Sequence, residues 1–581
     1  MKRLILSFFL FLSLTGFSQN LLNNDWQFKT GDTLIWKNID FNSSTWKIIR
    51  SGRPWEDQGY ANYDGFGWYR KMVVIPSVLK KDALKYNGLS LQLGTIDDAD
   101  QVYFNGKLIG ASGELPPHYL SGYYSVRNYT ISPEKILWDK ENVIAVRVYD
   151  GGGTGGLLSE VSLKVNGLES LVDLKPQFPR DDRLFLDKKT VEFPLDVTNS
   201  SKFNVEGELK CIIISDFKDT ISVSKESVKI SAKTSKTLKI NKGEIAPGFY
   251  TIYFDFKSKL FNISKSFNIG VEPEKIVSPT DRPTDFDNFW MRAKRELAAV
   301  DPQFKMIRKD SLCTDKRDVF LVEMRSLDNV LIRGWYARPK TTGKYPALLH
   351  VQGYSGNMQI SLITSGEEMP EFFLNIRGHG NSRDEVNPGF PGYILHNIKD
   401  RERYIYRGAY MDCIRAVDFL CSREEVDSRY LVVEGGSQGG ALSFATAALD
   451  NQRIKLCMPA VPFLSDFPDY FKIAKWPANE FTDYENANKV FGWNGIFETL
   501  SYFDIKNLAP WIKCPVFMQI GLKDPTCPPH INFAAYNQLS VPKSYIAYPE
   551  AGHGLLPIAT TRKYEWMKKE LIELKSADIV K

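Results

Sequence analysis

The fold of the C-terminal half is decided by the stretch YLVVEGGSQGGALSFATAAL, residues 430–449. A short apolar run typical of a strand leads into GGSQGG, residues 435–440, and a segment of small residues typical of a helix follows. This context of strand, turn and helix is the one that the Gly-x-Ser-x-Gly nucleophile elbow requires. We therefore predict that Ser437 is a nucleophile presented at a helix N-terminus. The alternative is a glycine-rich structural turn in which this serine only caps the helix.

Helical and strand-like segments alternate from Asp285 onward. FDNFWMRAKRELAAV and MDCIRAVDFLCSR have helical patterns, whereas YPALLHVQG, EFFLNIRG, IKLCMPAVP and CPVFMQIG are short apolar runs that end at a loop. Near-continuous apolar strands between helices indicate a mostly parallel sheet with helices on both faces. We predict an α/β-hydrolase domain over residues 273–581, with its function at the carboxyl ends of the strands.

A serine nucleophile needs a base, and the chain order of this fold is Ser, then Asp or Glu, then His. Of the six histidines, only His530 and His553 follow Ser437. His530 comes directly after two prolines at the start of a helical run, which favours a helix-start role. His553 lies in the loop YPEAGHG between a strand pattern and the final helix pattern. We predict His553 as the base, with an exposed loop histidine as the alternative.

The acid is expected on the loop after CPVFMQIG, where Asp524 follows. It would accept the imidazole N–H and stabilise the imidazolium. An aspartate before a proline is also a common turn former. Glu550 is a weaker competitor because it is too close in sequence to His553 to serve it easily.

An oxyanion hole needs two backbone N–H groups near the nucleophile. Gln438, the residue after the serine, supplies one. The loop HVQGYSGN, after the strand ALLHV, is predicted to supply the other from Tyr354. Tyr354 lining the pocket instead is the alternative.

The N-terminal half has the patterns of β-structure. Residues 19–167 contain short alternating runs separated by turn signals, including Asn105-Gly106, which indicate a sandwich or jelly roll. Residues 168–272 alternate polar and apolar positions without helical periodicity, which indicates an immunoglobulin-like sandwich. PQFPRDDR and VEPEKIVSPTDRPTD are the predicted linkers. The fold prediction is thus two β-sandwiches followed by an α/β-hydrolase domain.

Residues 1–18 have the pattern of a signal peptide, with Lys2 and Arg3 ahead of an apolar run and small residues before the cleavage position. A membrane anchor is the alternative, but the run is shorter than the ~20 apolar residues of a spanning helix. We expect export to the periplasm or the medium, and no membrane span. A net charge of +5 gives no case for nucleic acid. Seven sparse cysteines and scattered histidines give no case for a metal.

Several motifs of the C-terminal domain, in order, resemble carbohydrate esterase family 7, the acetyl xylan esterases and cephalosporin-C deacetylases. They are PTDFDNFWMRAKREL, HVQGYSGN, RGHG at 377–380, YIYRGAYMDCIRAVDFL, GGSQGG and KDPTCPPHINFAAYN, followed by the histidine loop. The resemblance implies Ser437, Asp524 and His553 as the triad and Tyr354 and Gln438 as the oxyanion donors. It also implies removal of acetyl groups from sugar hydroxyls without metal or cofactor.

Two positions depart from this family's pattern. The family usually has RGQG, so His379, two residues after Arg377, replaces a glutamine close to the active-site loops. Gly554 stands where a glutamate usually follows the catalytic histidine. Both changes bear on the pocket and its surroundings, and leave the three catalytic residue types in place. A homo-oligomer is left open because the added N-terminal domains are atypical.

The N-terminal domain resembles a second family. Trp68-Tyr69-Arg70, LGTIDDADQVYFNGKLIG and NVIAVRVYD are similar to the galactose-binding-like jelly roll that accompanies family 2 glycosidases and sialate O-acetylesterases. Such a domain either supports the structure or binds sugar, and both readings stay open.

The function expected from these features is a secreted serine carboxylesterase that deacetylates plant-type oligo- or polysaccharides through an acyl-enzyme. A prolyl-oligopeptidase-like peptidase shares the serine turn, but such enzymes usually carry an upstream propeller. A non-catalytic carbohydrate-binding protein with an inactive hydrolase domain is the other alternative.

Overall fold

The computed structural model describes residues 20–580 except positions 62, 117, 118, 120, 124, 153, 187–189 and 361–367. The predicted signal peptide therefore lies outside the described residues. Within the described residues, no helix combines the length and the apolar character that crossing a membrane requires.

The N-terminal region is built from β-sheets. Its elements are β1 (Asp25–Thr30), β2 (Lys47–Arg50), β3 (Gly65–Val74), α1 (Lys80–Lys85), β4 (Leu89–Gly94), β5 (Ile96–Asp97), β6 (Ala99–Phe104), β7 (Lys107–Ser112), β8 (Arg127–Ile131), β9 (Glu141–Asp150), β10 (Gly156–Leu157) and β11 (Ser162–Val165). The largest sheet has the order β2-β1-β3-β9-β6-β7, and smaller ones are β11-β4-β8 and β10-β5.

The predicted Asn105-Gly106 turn is confirmed at the hairpin between β6 and β7. Both residues have positive φ, 50° and 78°. A two-residue hairpin of this kind needs positive φ at both positions, which Asn-Gly adopts at little cost.

A second set of sheets follows. Its strands are β12 (Val172–Pro176), β13 (Leu184–Phe185), β14 (Thr190–Asn199), β15 (Val205–Ser215), β16 (Thr220–Ile230), β17 (Thr234–Glu244), β18 (Gly248–Ser258) and β19 (Asn262–Val271). They form the sheets β12-β14-β17 and β13-β19-β18-β15-β16. Alternate residues along β15 are buried, as the polar–apolar alternation predicts.

The C-terminal region is an α/β structure around one large sheet. Its strands are β20 (Lys305–Arg308), β21 (Arg317–Arg325), β22 (Leu331–Pro339), β23 (Tyr345–Val351), β24 (Glu371–Asn375), β25 (Val426–Gly436), β26 (Ile454–Ala460), β27 (Val516–Gly521) and β28 (Lys543–Tyr548). Its helices are α2 (Phe286–Ala299), α3 (Ile405–Cys421), α4 (Gln438–Leu449), α5 (Phe467–Ile473), α6 (Ala478–Ala487), α7 (Gly492–Leu500), α8 (Ile505–Leu508), α9 (Pro529–Tyr536) and α10 (Pro557–Val580).

The strand order of this sheet is β20-β21-β22-β24-β23-β25-β26-β27-β28. The pairings from β20 to β24 are antiparallel, and those from β24 to β28 are parallel. The sheet is therefore mixed, with a parallel part that carries the nucleophile elbow.

Helices cover both faces of the parallel part. Leu349 and Val433 belong to the apolar core that contains α3 and α4, whereas Leu348 and Val432 pack with Met567 of α10. Because side chains alternate along a strand, burial on both faces requires the near-continuous apolar runs seen in the sequence. The prediction of N-terminal β-structure followed by an α/β region is confirmed.

The β-rich regions pack against the α/β region. The rings of Phe249 and Phe533 lie 5.6 Å apart. Asn268 Nδ2 donates to the carbonyl oxygen of Leu522 at 2.6 Å, on the loop that follows β27. The loops at the carboxyl ends of the parallel strands therefore lie close to the other regions.

Candidate active site

Ser437 occupies a sharp turn between β25 and α4, with φ 60° and ψ −122°. A side chain at either flanking glycine would collide with backbone. An added Cβ would stand 2.5 Å from Val351 O at Gly435, and 2.2 Å from the same oxygen at Gly439. Gly435 and Gly439 are thus required sterically, and the turn has the form of a nucleophile elbow.

Three side chains that are distant in sequence meet at this turn. His553 Nε2 lies 2.9 Å from Ser437 Oγ, and His553 Nδ1 lies 2.9 Å from Asp524 Oδ2. The Asp524 side chain is fully buried, and its Oδ1 accepts the backbone N–H groups of Thr526 and Cys527 at 2.8 and 2.9 Å. The imidazole can therefore accept the serine proton at one nitrogen while the carboxylate holds the other.

The two residues that competed for these roles lie elsewhere. Glu550 forms ion pairs with Arg183 and Lys523. His530 is the second residue of α9, and its Nδ1 lies 3.0 Å from Asp216 Oδ2. Within the part of the chain that the structure describes, neither makes a hydrogen bond to the serine, histidine and aspartate group.

Two backbone N–H groups lie next to the nucleophile. Gln438 is the first residue of α4, so its N–H has no partner within the helix. The Tyr354 N–H makes no hydrogen bond within the described residues. The loop that carries it is close to the serine, since a Cβ built on Gly353 would stand 3.9 Å from Ser437 Cβ. That these two N–H groups form an oxyanion hole stays a prediction.

The Tyr354 side chain belongs to an aromatic wall beside these donors. Its hydroxyl donates to Glu480 at 3.1 Å, and its ring lies 5.0 Å from Phe390 and 6.0 Å from Trp476. Burial and the Glu480 carboxylate raise the pKa of Tyr354, so it stays a neutral hydrogen-bond donor. Sequence reasoning missed Glu480 and Trp476, since neither lies in a motif and only the fold brings them here.

His379 acts on the Gln438 side chain. Its Nε2 lies 3.2 Å from Gln438 Nε2, while Gln438 Oε1 accepts the Tyr406 hydroxyl at 2.7 Å. Burial lowers the pKa of His379 to about 3, so the imidazole is neutral and Nε2 can accept from the amide. Arg377 forms a buried bidentate ion pair with Asp412. Its Nε donates to Oδ2 at 2.9 Å and its Nη2 donates to Oδ1 at 2.7 Å.

Metal-ligand types converge at two places in the described residues. In each group the atoms lie within 4.8 Å of one another: Asp466, Asp469 and His530, and Asp97, Asp98 and Asp150. Neither group includes a residue of the serine, histidine and aspartate arrangement. That the chain needs no metal or cofactor stays a prediction.

Residues 273–570 match the family model described as acetyl xylan esterase (AXE1). The acetyl esterase Axe7A of Xylanibacter ruminicola is 29% identical over 363 residues, which cover 59% of this chain and 80% of that protein. An acetyl xylan esterase from Paenibacillus sp. R4 is 34% identical, with a TM-score of 0.49 over 51% of this chain and 98% of that one. Acetyl xylan esterase 1 from Thermoanaerobacterium sp. JW/SL YS485 is 29% identical, with the same coverage and a TM-score of 0.48.

The matched segment spans more than half of the chain and contains every residue of the elbow, the acid loop and the histidine loop. The resemblance noted in the sequence is thereby confirmed. The chain belongs to the acetyl xylan esterase family, and with it to the carboxylic ester hydrolases.

Proposed function

We propose that this esterase is exported and removes acetyl groups from hydroxyls of plant-type oligo- or polysaccharides through an acyl-enzyme on Ser437. Family membership supplies the reaction class. The observation that carries the mechanism is the position of the His553 imidazole, 2.9 Å from the serine hydroxyl on one side and 2.9 Å from the Asp524 carboxylate on the other.

In the first step, Ser437 Oγ attacks the acetyl carbonyl carbon while His553 Nε2 takes the hydroxyl proton. The carbonyl oxygen becomes an oxyanion, which the N–H groups of Tyr354 and Gln438 bind. The bond between the carbonyl carbon and the sugar oxygen then breaks. The sugar leaves as an alcohol with the proton from His553, and the acetyl group stays on the serine.

In the second step, His553 takes a proton from water, and the resulting hydroxide attacks the acetyl-serine. The same two N–H groups bind the second oxyanion. The bond to Oγ breaks, the serine regains its proton, and acetate leaves. Asp524 keeps one histidine tautomer throughout and stabilises the imidazolium.

The rest of the chain has supporting roles in this proposal. Residues 1–18 direct export, residues 19–167 form a galactose-binding-like jelly roll, and residues 168–272 form an immunoglobulin-like sandwich ahead of the esterase domain at 273–581. Separate apolar clusters in the two β-rich regions support this division.

The test compares wild type with Ser437→Ala on p-nitrophenyl acetate and on a panel of acetylated xylan, mannan, pectin and sialosides. We expect the variant to lose about 10³-fold or more in kcat on every active substrate while remaining folded. Ser576→Ala, on the exposed side of α10, is the matched control. Acetate release by Ser437→Ala at the wild-type rate would refute the assignment, and cleavage of aminoacyl reporters in place of acetates would favour the peptidase.

A further inference from the structure

A cleft separates the N-terminal region from the α/β region, and His553 stands in it. His553 lines a cavity of about 690 Å³. Its lining includes Gly353 and Asn357 of the α/β region and Glu114 and Tyr119 of the N-terminal region. The N-terminal region therefore supplies a wall next to the catalytic base.

His553 also lines a second cavity, of about 1030 Å³. Its lining includes Lys523 and Gly552 of the α/β region and Ser121 and Tyr123 of the N-terminal region. Because His553 lines both cavities, they meet at the base. Both are about as large as, or slightly larger than, the ~300–1,000 Å³ sites that hold drug-sized ligands.

The chemistry decides which part of the substrate lies here. The proton that His553 Nε2 takes from the serine must pass to the oxygen of the leaving alcohol. That oxygen must therefore sit beside Nε2, and the sugar attached to it must occupy the space around the imidazole. In this chain that space is the cleft, so its walls contact the glycan.

The N-terminal wall is held in place without substrate. Asp98 accepts hydrogen bonds from the Tyr119 and Ser121 hydroxyls at 2.5 Å each, and from the Gly151 N–H at 2.9 Å. One buried carboxylate thus fixes Tyr119 at the first cavity and Ser121 at the second. Pre-organisation of this kind lowers the entropy cost of binding.

A buried arginine braces the same wall. Arg127 is paired with Asp100 at 2.6 Å, with both side chains fully buried. Its guanidinium also donates to the carbonyl oxygens of Gly122 and Asp98 at 2.7 and 2.8 Å. The segment that carries Ser121 and Tyr123 is therefore tied to the β-sheet behind it.

The departure at Gly554 fits this arrangement. A Cβ built on Gly554 would stand 3.7 Å from the carbonyl oxygen of Ser121. A methyl group fits there, and the glutamate that is usual in the family would add four more heavy atoms beside the N-terminal wall. The glycine leaves room for that wall beside the catalytic histidine.

The exposed groups of the cleft suit a sugar chain. The Tyr119 and Tyr123 side chains are 38% and 37% exposed, and Glu114 is exposed. A tyrosine offers an apolar ring face and a hydroxyl, and a carboxylate accepts hydrogen bonds from hydroxyl groups. We propose that Glu114, Tyr119 and Tyr123 form glycan subsites in the two cavities that His553 lines, so that the enzyme prefers acetyl groups carried on an oligosaccharide chain. This inference rests on the proposed function.

The test measures kcat and KM of the full chain on acetylated xylo-oligosaccharides and on p-nitrophenyl acetate. We expect Tyr119→Ala and Tyr123→Ala each to raise KM for the oligosaccharide about tenfold. We expect kcat/KM for the aryl ester to stay within about twofold, because its leaving group is a single ring and cannot span the cleft as an oligosaccharide does. Tyr253→Ala, an equally exposed tyrosine on β18, is the matched control and should change neither value.

A second pair of variants tests the cleft without touching the tyrosines. Gly554→Glu fills the space between Ser121 and the histidine loop and should raise KM for the oligosaccharide several-fold, roughly as a lost contact does. Gly554→Ala adds only a methyl group at ordinary contact distance and should behave as wild type.

The outcomes separate this inference from the proposed function. Equal losses on both substrates, or an unchanged KM for the oligosaccharide in the tyrosine and Gly554→Glu variants, would overturn the subsites while leaving the esterase. A wild-type enzyme that cleaves the aryl ester but releases no acetate from any acetylated glycan would overturn the proposed function itself.

Discussion

Asp524 controls the histidine through both of its oxygens. Oδ2 faces His553 Nδ1, while Oδ1 accepts the N–H groups of Thr526 and Cys527. In Asp524→Asn these N–H groups would hold the amide oxygen, so the amide NH₂ would face Nδ1 and leave the imidazole proton on Nε2. That nitrogen could not accept the serine proton. We expect kcat on p-nitrophenyl acetate to fall about 10³–10⁴-fold with little change in KM.

Glu550→Gln is the control for this prediction, because Glu550 is the other acid near the histidine loop. Its carboxylate is about half exposed and paired with Arg183 and Lys523, so we expect kcat to change little. An Asp524→Asn enzyme with kcat within tenfold of wild type would contradict the assigned role.

His379 makes stability depend on pH below neutrality. Burial lowers its pKa in the folded protein to about 3, whereas an exposed histidine has a pKa of about 6.5. As pH falls below about 6.5, His379 binds a proton in the unfolded chain but not in the folded one. This lowers the free energy of unfolding by roughly 2 kcal/mol at pH 5.

His379→Gln restores the usual residue of the family and cannot take up this proton. On going from pH 7.5 to pH 5, wild type should lose more free energy of unfolding than the variant. Urea denaturation at both pH values measures this difference. Parallel losses in the two proteins would show that His379 is already protonated when folded.

Among single residues, the sequence predicted those that lie in a recognisable motif or directly after a strand pattern. Ser437 stands in a glycine motif, and Asp524 and His553 each follow a strand in the expected order. The sequence did not predict that His379 would meet Gln438, or Glu480 meet Tyr354. The residues in these contacts are 59 and 126 positions apart in the chain, and no local sequence pattern indicates that they meet.

At the scale of elements, the close approach of α4 to β23 depends on Gly439. An added Cβ would stand 2.2 Å from Val351 O, which is backbone and cannot rotate away. We expect Gly439→Ala to push the helix from the sheet, lower stability by roughly 2–4 kcal/mol and abolish most activity, because the elbow moves with the helix. Thermal unfolding and kcat on the aryl ester measure the two effects.

Gly436→Ala is the matched control, one position before the serine. A Cβ there would meet only Ala460 O, at 4.0 Å. Its melting temperature should stay close to wild type. If both substitutions destabilise the protein equally, glycine is needed at these positions for backbone flexibility and not for the close contact with β23.

The sequence predicted the helices and strands in which the spacing of the apolar residues is clear. The apolar runs became β23 to β27, and FDNFWMRAKRELAAV became α2. It gave no assignment for α5 to α8, between β26 and β27, because four short helices of four to ten residues contain too few turns for a helical period to stand out.

At the scale of the whole molecule, the β-rich regions reach the active-site loops from two directions. Ser121 of the N-terminal region lies near Gly554, and Asn268 of the following region binds the backbone of Leu522 before the acid loop. The loops that carry Asp524 and His553 are thus packed between regions. Sequence patterns within one domain cannot predict such contacts, because they depend on how the domains dock.

One contact between the second β-rich region and the α/β region is an ion pair. His530 of α9 lies 3.0 Å from Asp216 Oδ2, in the loop after β15, and 3.6 Å from Asp469 Oδ2. Its ring also meets the Phe217 ring edge-on at 5.0 Å. Burial disfavours the imidazolium, but these carboxylates outweigh it and raise the pKa of His530 to about 9.

Because this pKa is raised above the value of about 6.5 in the unfolded chain, the stabilisation is complete below about pH 6.5 and is lost as pH rises through 9. Asp216→Asn removes one of the two carboxylates, so the variant should be less stable than wild type at pH 6 by on the order of 1–3 kcal/mol. The difference in stability between wild type and the variant should narrow by pH 9.5, where His530 of the wild type has largely lost its proton.

Melting temperatures of wild type, Asp216→Asn and the exposed control Glu226→Gln between pH 6 and pH 9.5 test this contact. Glu226→Gln should follow wild type throughout. If the gap between wild type and Asp216→Asn stays constant with pH, the imidazolium does not hold the two regions together. Their docking would then depend on apolar contacts such as Phe249 with Phe533.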